Sequence, residues 1–321
     1  MMGARSISAA LPVALTSTFP ARQRGAAVIL ALLIVMLATM LAVYMAQQQD
    51  LWQQQVENQF GWVQARSVGG AAIDWARAVL ADDAATSNYD YPGEMWTKQL
   101  PAADVENGQV AGVIEDRQGL FNLNNLVRNG VTSPADVVRF QRLLALLGLP
   151  GDLAVSLADW MDADSEAQYP GGAEDAYYLS LPQPYRAANR PLIELDELLL
   201  VKGYDAATLD RLRPYVTVLP QQTPINVNFA PPEVLAATID GLSITAARSL
   251  VQQRTAQPFR TLAEFNSHLP AQMQVADTLA TVSSQYFMVK GYASFGKSQI
   301  VMEALLQRNG IQSTVVWQDI E

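Results

Sequence analysis

The chain has 321 residues, enough for a membrane segment plus one large exterior domain or two modest ones. Its net charge of −10 argues against nucleic acid, whose phosphates need neutralising by lysine and arginine, and is compatible with divalent cations. With no cysteine and a single histidine, His268, it excludes disulfides, thiolate catalysis, the usual zinc sites and any Ser-His-Asp triad not built on His268.

Residues 1–21 carry Pro12 and Pro20 around a stretch too short and too interrupted to span a bilayer. They read as an extended leader or an unused upstream start, outside the mature fold. Residues 26–46 hold no charge. At about 1.5 Å per residue they give roughly 30 Å of helix, the thickness of a hydrocarbon core. Arg22 and Arg24 precede this run, and Asp50 is the first charge after it. The bias of basic residues toward the cytoplasm places the N-terminus inside and the bulk of the chain outside. Read alone, the run is a plain uncleaved anchor.

Its flank, Arg22-Gln-Arg-Gly25-Ala26, resembles the class III signal of type IV prepilins and pseudopilins. The resemblance implies cutting between Gly25 and Ala26 by a prepilin peptidase, N-methylation of the new terminus, and retention of the apolar helix. A conventional secretory signal is instead cut after its apolar stretch. Members of that family usually carry glutamate as the fifth mature residue, where this chain has Leu30. A carboxylate in lipid is costly without a partner. In the family the glutamate meets the terminal amine of the subunit ahead, so Leu30 implies a subunit with nothing ahead of it, at a filament tip.

The helix is predicted to continue through residues 47–82, with Val56, Phe60, Val63, Val68, Ala72, Trp75 and Val79 as its packing stripe and Gly69-Gly70 as a weak point. Residues 88–107 read as loop. Alternation over 110–115 predicts a strand, and 117–125 a turn-rich connection. Residues 133–283 read as mostly helical. Ser133-Pro134 starts a helix with Phe140, Leu143, Leu144 and Leu147 on its apolar face, ended by Gly148. Further helices are expected over 154–160, 192–200, 206–212, 231–239, 244–254 and 261–266.

Phe121-Asn-Leu-Asn124 is echoed by Ile225-Asn-Val-Asn228. The second block resembles a helix-hairpin-helix DNA-binding unit, whose backbone N–H groups meet a phosphate. That gives an alternative function, a membrane-anchored periplasmic DNA receptor. Against it, Ser243 replaces the second hairpin glycine and Asp240 would face the phosphate. A compact helical scaffold for protein contact is the other reading of the same block.

The stretch richest in chemistry is Asp159-Trp-Met-Asp162-Ala-Asp164-Ser-Glu166, followed by Pro170-Gly-Gly-Ala-Glu174-Asp175. Alternate carboxylates after a helix end can converge on one hard cation, and calcium takes six to eight oxygens from such loops. It is not an EF-hand, because Ala167 and Ala173 occupy the glycine and bidentate-glutamate positions. Glu174 and Asp175 can close the site, and Asn189 can add an amide oxygen. A solvated acidic loop, or a carboxylate pair for glycosidase-type acid–base work, explains the same spacing.

Together, the prepilin-like start without its glutamate, Phe121-Asn-Leu-Asn, Ala158-Asp-Trp-Met-Asp-Ala-Asp164, Gly172-Ala-Glu-Asp175, Tyr185-Arg-Ala-Ala-Asn-Arg190 and Ile225-Asn-Val-Asn resemble the minor pseudopilin K family of type II secretion systems. The likeness runs from about Arg22 to the end. It implies an α+β pilin-like fold, a long N-terminal helix packed on a small antiparallel sheet with a large all-helical domain inserted in that sheet. It implies no enzyme activity and an inner-membrane anchor with the bulk in the periplasm. The place it implies is the pseudopilus tip, with minor pseudopilins I and J, H below them, and an inner-membrane assembly platform. It also implies structural calcium held by Asp162, Asp164, Glu174 and Asp175, with Glu166 and Asn189 as further candidates.

Three strands are predicted over 286–294, 300–307 and 313–319, with turns at Gly296-Lys297 and Asn309-Gly310. Phe287, Val289, Ile300, Met302 and Val316 are expected in the core, and His268 at a surface or helix end. The domains are then a leader (1–25), a membrane half-helix (26–46), a pilin-like body (47–120 and 284–321) and the insert (121–283).

Overall fold

The computed structural model describes residues 22–105, 108–270, 273–295 and 298–320. Residues 1–21 and the expected turn at Gly296-Lys297 lie outside the described residues. The chain forms two units, divided between Phe60 and Gly61. In the first, helix α1 (Arg22–Thr86) begins. This helix is long and apolar enough to cross a membrane. Leu30, Leu37 and Val43 are exposed along it, as residues meant for lipid would be.

In the second unit the C-terminal part of α1 buries Gly69, Ile73, Ala76 and Leu80, one line at helical spacing. Ile73, Ala76 and Leu80 pack on Ile114, Phe287, Val289, Met302, Ala304 and Leu306. The expected stripe holds in part: Val68, Ala72 and Val79 pack against the sheet, whereas Val56, Val63 and Trp75, like Phe60, are exposed, and Ile73, Ala76 and Leu80 form the buried line between them. A Cβ on Gly69 would stand 3.2 Å from Met302 Sδ, so this glycine seats the helix on the sheet and does not break it.

A second correction concerns 88–107, expected as loop. A 3-10 turn at Met95–Thr97 leads into strand β1 (Leu100–Val105). The strand forms through pairing, with Ala103 opposite Val110 and Val105 opposite Gly108 of β2 (Gly108–Asp116). It is an edge strand, where proline such as Pro101 is tolerated.

The insert follows. It runs through β3 (Phe121–Asn122), β4 (Val127–Arg128), β5 (Val131–Thr132), α2 (Pro134–Leu146), α3 (Asp152–Met161), α4 (Asp175–Tyr178), a 3-10 turn at Leu195–Leu200, α5 (Ala206–Leu212), β6 (Val216–Thr217), β7 (Ile225–Asn226), α6 (Pro232–Thr238), α7 (Ile244–Ala256), α8 (Leu262–His268) and β8 (Ala280–Thr281). It is therefore not all-helical. Among the described residues it contains two parallel two-residue pairs, β3 with β6 and β7 with β8, and an antiparallel one, β4 with β5.

Those parallel pairs give the sequence echo a structural meaning. Each Asn-x-Asn motif opens a half of the insert, and its strand pairs with the strand that closes the same half. Asn122 and Asn226 each accept the N–H two residues on, from Asn124 and Asn228. Asn124 then grips both backbone groups of Leu192 and the carbonyl of Leu219. Asn228 grips both backbone groups of Phe259 and the carbonyl of Asp90.

The chain returns as β9 (Tyr286–Phe295), β10 (Ser298–Asn309) and β11 (Gln312–Ile320). The sheet order is β1-β2-β9-β10-β11, antiparallel throughout. Phe287, Val289, Ile300 and Met302 are buried as expected. Val316 is exposed. Leu305 faces Trp317 while Leu306 faces Val315, so Val316 bulges from the edge strand. His268 ends α8, exposed, with its Nδ1 2.8 Å from Gln253 Oε1.

Candidate metal centre

The site is built on the end of α3. Leu153, Ala154, Leu157 and Ala158 are buried in the insert's core, and this fixes the phase of the helix. The same phase buries Asp159 and Asp162 near its C-terminus. Asp162 leaves the helix in extended conformation, and the loop carries Asp164 and Glu166 outward before Gly171-Gly172 returns it to Glu174.

One carboxylate oxygen from each of Asp162, Asp164 and Glu174 lies within 4.8 Å of the other two. The remaining candidates are engaged otherwise. The Glu166 N–H donates to Asp164 Oδ1 at 2.8 Å, while its residue is exposed. Asp175 accepts the Ala187 N–H at 3.1 Å and faces Arg186 at 3.7 Å. Asn189 takes a left-handed backbone, φ 46°, and spans the loop, donating its N–H to Trp160 O and its Nδ2 to Asp164 O.

Asp159 was not among the predicted ligands, although its place in the motif, three residues before Asp162, is the signal for it. It is fully buried. Its Oδ2 accepts the Gln168 N–H at 2.9 Å. Asp162 Oδ2 takes the Thr132 hydroxyl at 2.7 Å. Among the described residues, Asp159 Oδ1, Asp162 Oδ1 and Glu174 Oε1 are buried without a donor. Burial pushes Glu174 up to about 7, and the charges of Asp159, Asp162 and Asp164 add to that. Burial likewise raises Asp159 to about 6 and raises Asp162. Buried like charges with unfilled lone pairs are stable only with a proton or a cation among them. An all-oxygen donor set on an irregular loop fits a hard cation such as calcium.

Among the described residues a second carboxylate cluster, Asp83, Asp90 and Glu94, contains a cation of its own, the guanidinium of Arg308. At the hairpin between α6 and α7, Ser243 uses its hydroxyl to cap α7, accepting the Ala246 N–H, and Asp240 is paired with Arg142 of α2. These contacts suit a protein scaffold better than a phosphate seat.

A membrane-length helix that runs on into a helix packed on a small antiparallel sheet, with a bulky domain between two neighbouring strands, defines a pilin-like subunit. The family described as type II secretion system (T2SS), protein K is matched over residues 119–221 and again over 225–284. Relatives of that name include one from Pseudomonas aeruginosa, 35% identical over 300 residues (89% of each chain). Another is from Klebsiella pneumoniae, 34% identical over 310 residues (90% of this chain and 94% of the relative). In the crystal structure of the GspK-GspI-GspJ complex from enterotoxigenic Escherichia coli, one chain aligns with a TM-score of 0.74 at 26% identity, covering 83% of this chain and 99% of that one. This chain belongs to the type II secretion system protein K family and is a minor pseudopilin of that apparatus. The match of the second family segment begins at Ile225, where the second Asn-x-Asn half opens.

Proposed function

We propose that this subunit stands at the tip of the pseudopilus, joined to minor pseudopilins I and J with H beneath them, and that calcium orders its acidic loop. The carrying observation is the insert between β2 and β9 on a pilin-like body, aligned over 99% of a chain taken from a K–I–J complex. A pilin filament grows by stacking bodies along their helices. A subunit whose sheet carries a domain this large obstructs addition above itself, and Leu30 removes the carboxylate that would seek a subunit ahead. Its part is structural: it starts or caps the assembly and performs no chemistry on the exported protein.

Before assembly it is an inner-membrane protein, cytoplasmic at its N-terminus and periplasmic from α1 onward, cut by prepilin peptidase between Gly25 and Ala26 and delivered to the assembly platform. Asp162, Asp164 and Glu174 would hold the ion, with Asp159 Oδ1 available as a further oxygen. The ion would supply positive charge to a buried acidic loop. Intact-mass measurement of the membrane-extracted protein, co-expressed with the peptidase, I and J, tests the reading. A species starting at Ala26 that co-purifies with I and J supports it, and one that keeps Gly25 and binds neither refutes it.

A further inference from the structure

Asp90, in the connection between α1 and β1, ties the insert to the sheet. It is 1% exposed. Its N–H donates to Val282 O at 2.8 Å, and its carbonyl accepts Asn228 Nδ2 at 3.1 Å. Its carboxylate accepts the Ser284 N–H at 2.6 Å. Both ends of the insert's second half are thus fastened to one residue outside the insert. Arg308 of β10 holds that residue in turn, with Nη2 at 2.7 and 2.6 Å from the two Asp90 oxygens and Nη1 at 2.9 Å from Asp83 of α1. The same Nη2 donates to Ser284 O.

A third carboxyl group stands in this cluster. Glu94 Oε2 accepts the Trp96 indole N–H at 2.8 Å and the Tyr91 N–H at 3.1 Å. Oxygens of Asp83, Asp90 and Glu94 lie within 4.8 Å of one another. One guanidinium serves three carboxyl groups and bonds to only two of them. Trp96 reaches across the seam, 5.5 Å from Phe229 of the insert and 5.1 Å from Phe287 of β9.

We propose that Glu94 is a proton-operated fastening between insert and sheet. When neutral it accepts the Trp96 and Tyr91 N–H groups without adding a third negative charge to the cluster. When ionised it repels Asp83 and Asp90 and loosens the grip of Asp90 on the insert.

The surroundings agree from every side. α1 presents Asp83, β10 presents Arg308, and the connection itself presents Asp90, Tyr89 and Tyr91. The insert presents Arg260 toward Tyr91, and the end of β2 presents Asp116 toward Asp90. Burial pushes Glu94 up to about 7, the Tyr91 and Trp96 N–H bonds, which favour its ionised form, partly offset this, and Asp83 and Asp90 add to the rise. The change of state therefore falls within the pH range an exterior compartment meets.

The test is a titration of the full chain in detergent micelles, labelled with 15N-tryptophan and held in chelator so that the acidic loop is metal-free throughout. The Trp96 indole signal, assigned by its loss in Trp96→Phe, should move with a midpoint near 7. It should stay still in Glu94→Gln. Asp83→Asn, which removes one repelling carboxylate and leaves the bonds of Glu94 intact, should lower the midpoint. On a uniformly 15N-labelled sample, backbone N–H exchange at Asp90 and Ser284, corrected for intrinsic base catalysis, should rise on the order of threefold above the midpoint in the unaltered protein only. A Trp96 signal that is flat from about pH 5.5 to about 8.5, or a midpoint unmoved by Asp83→Asn, overturns the proposal.

Discussion

Gly172 lies against Asp159 so closely that a Cβ at position 172 would collide with Asp159 Oδ2, and it would stand 2.7 Å from the Gln168 backbone nitrogen. The glycine therefore lets the returning loop pass over the buried carboxylate and deliver Glu174 beside Asp162. Lys202 braces the crossing, its Nζ donating to Gly172 O at 3.0 Å.

Gly172→Ala should therefore pull Glu174 away from its partners. The expected result is a loss of calcium affinity of roughly tenfold or more, about 1.4 kcal/mol per factor of ten. Isothermal titration calorimetry of the detergent-purified chain measures it. The rise in Tm expected from proposed calcium binding should shrink in parallel. A variant that binds calcium like the unaltered protein would separate Gly172 from the site.

The acidic loop gives an unusual pH dependence. Glu174 titrates near 7 in the fold, above its ordinary value of 4.5, so folding favours its protonated form. Its contribution is greatest below that ordinary value and is lost as pH rises through 7. Glu94 and Asp116, also raised to about 7 by burial, act in the same direction. In chelator, Tm at pH 7.5 should fall below Tm at pH 5.5 by on the order of 5 °C. On the proposed reading calcium should narrow that gap, because the cation would take the place of the proton at Glu174, and its apparent affinity should drop as pH is lowered below 7. A calcium effect equal at both pH values would show that Glu174 is not a ligand.

The two adjacent glycines of α1 should respond differently. Nothing stands within 4 Å of a Cβ on Gly70, so Gly70→Ala should stabilise by about 0.5–1 kcal/mol through helix propensity alone. At Gly69 the new methyl meets Met302 Sδ at 3.2 Å. That contact cancels the propensity gain or outweighs it, and Gly69→Ala should be neutral to destabilising. Chemical denaturation of the two variants side by side decides the matter.

Much of this architecture is legible in the sequence, for identifiable reasons. Alternation over Val110, Gly112 and Ile114, and the Asn309-Gly310 turn with Gly310 at φ 61°, mark strands that local pattern alone specifies. Ser133-Pro134 and Gly148, at φ 65°, bound a helix in the same way. What local pattern misses is set by distant partners. β1 is a strand because β2 offers it an edge, although its own Leu-Pro-Ala-Ala-Asp-Val has little β preference. Val316 looks like core but is turned out by a bulge. At the candidate metal centre the sequence supplies Asp162, Asp164 and Glu174, which the fold brings together. It does not show that Asp175 faces Ala187 and Arg186, or that Asp159 is buried with a free oxygen, because both depend on how the loop closes over α3.

The repeated Asn-x-Asn motif yields the last prediction. Asn124 makes three buried hydrogen bonds of 2.9–3.0 Å to the backbone at Leu192 and Leu219, and Asn228 makes three of 2.8–3.1 Å at Phe259 and Asp90. Each side chain closes one half of the insert, and in each case three main-chain groups have no other way to be satisfied inside the core. Asn124→Ala and Asn228→Ala should each cost on the order of 3–5 kcal/mol, since the abandoned backbone groups remain buried. Replacement by aspartate should do no better. It keeps the acceptor but loses both donor bonds and buries a charge. The two sites differ in reach. Asn124 binds only within the insert, whereas Asn228 also holds Asp90 of the seam. Asn228→Ala should therefore speed N–H exchange at Ser284 as well as within its own half, while Asn124→Ala should leave Ser284 protected. Equal exposure of Ser284 in both variants would mean that the halves unfold as one unit and that the seam depends on neither asparagine in particular.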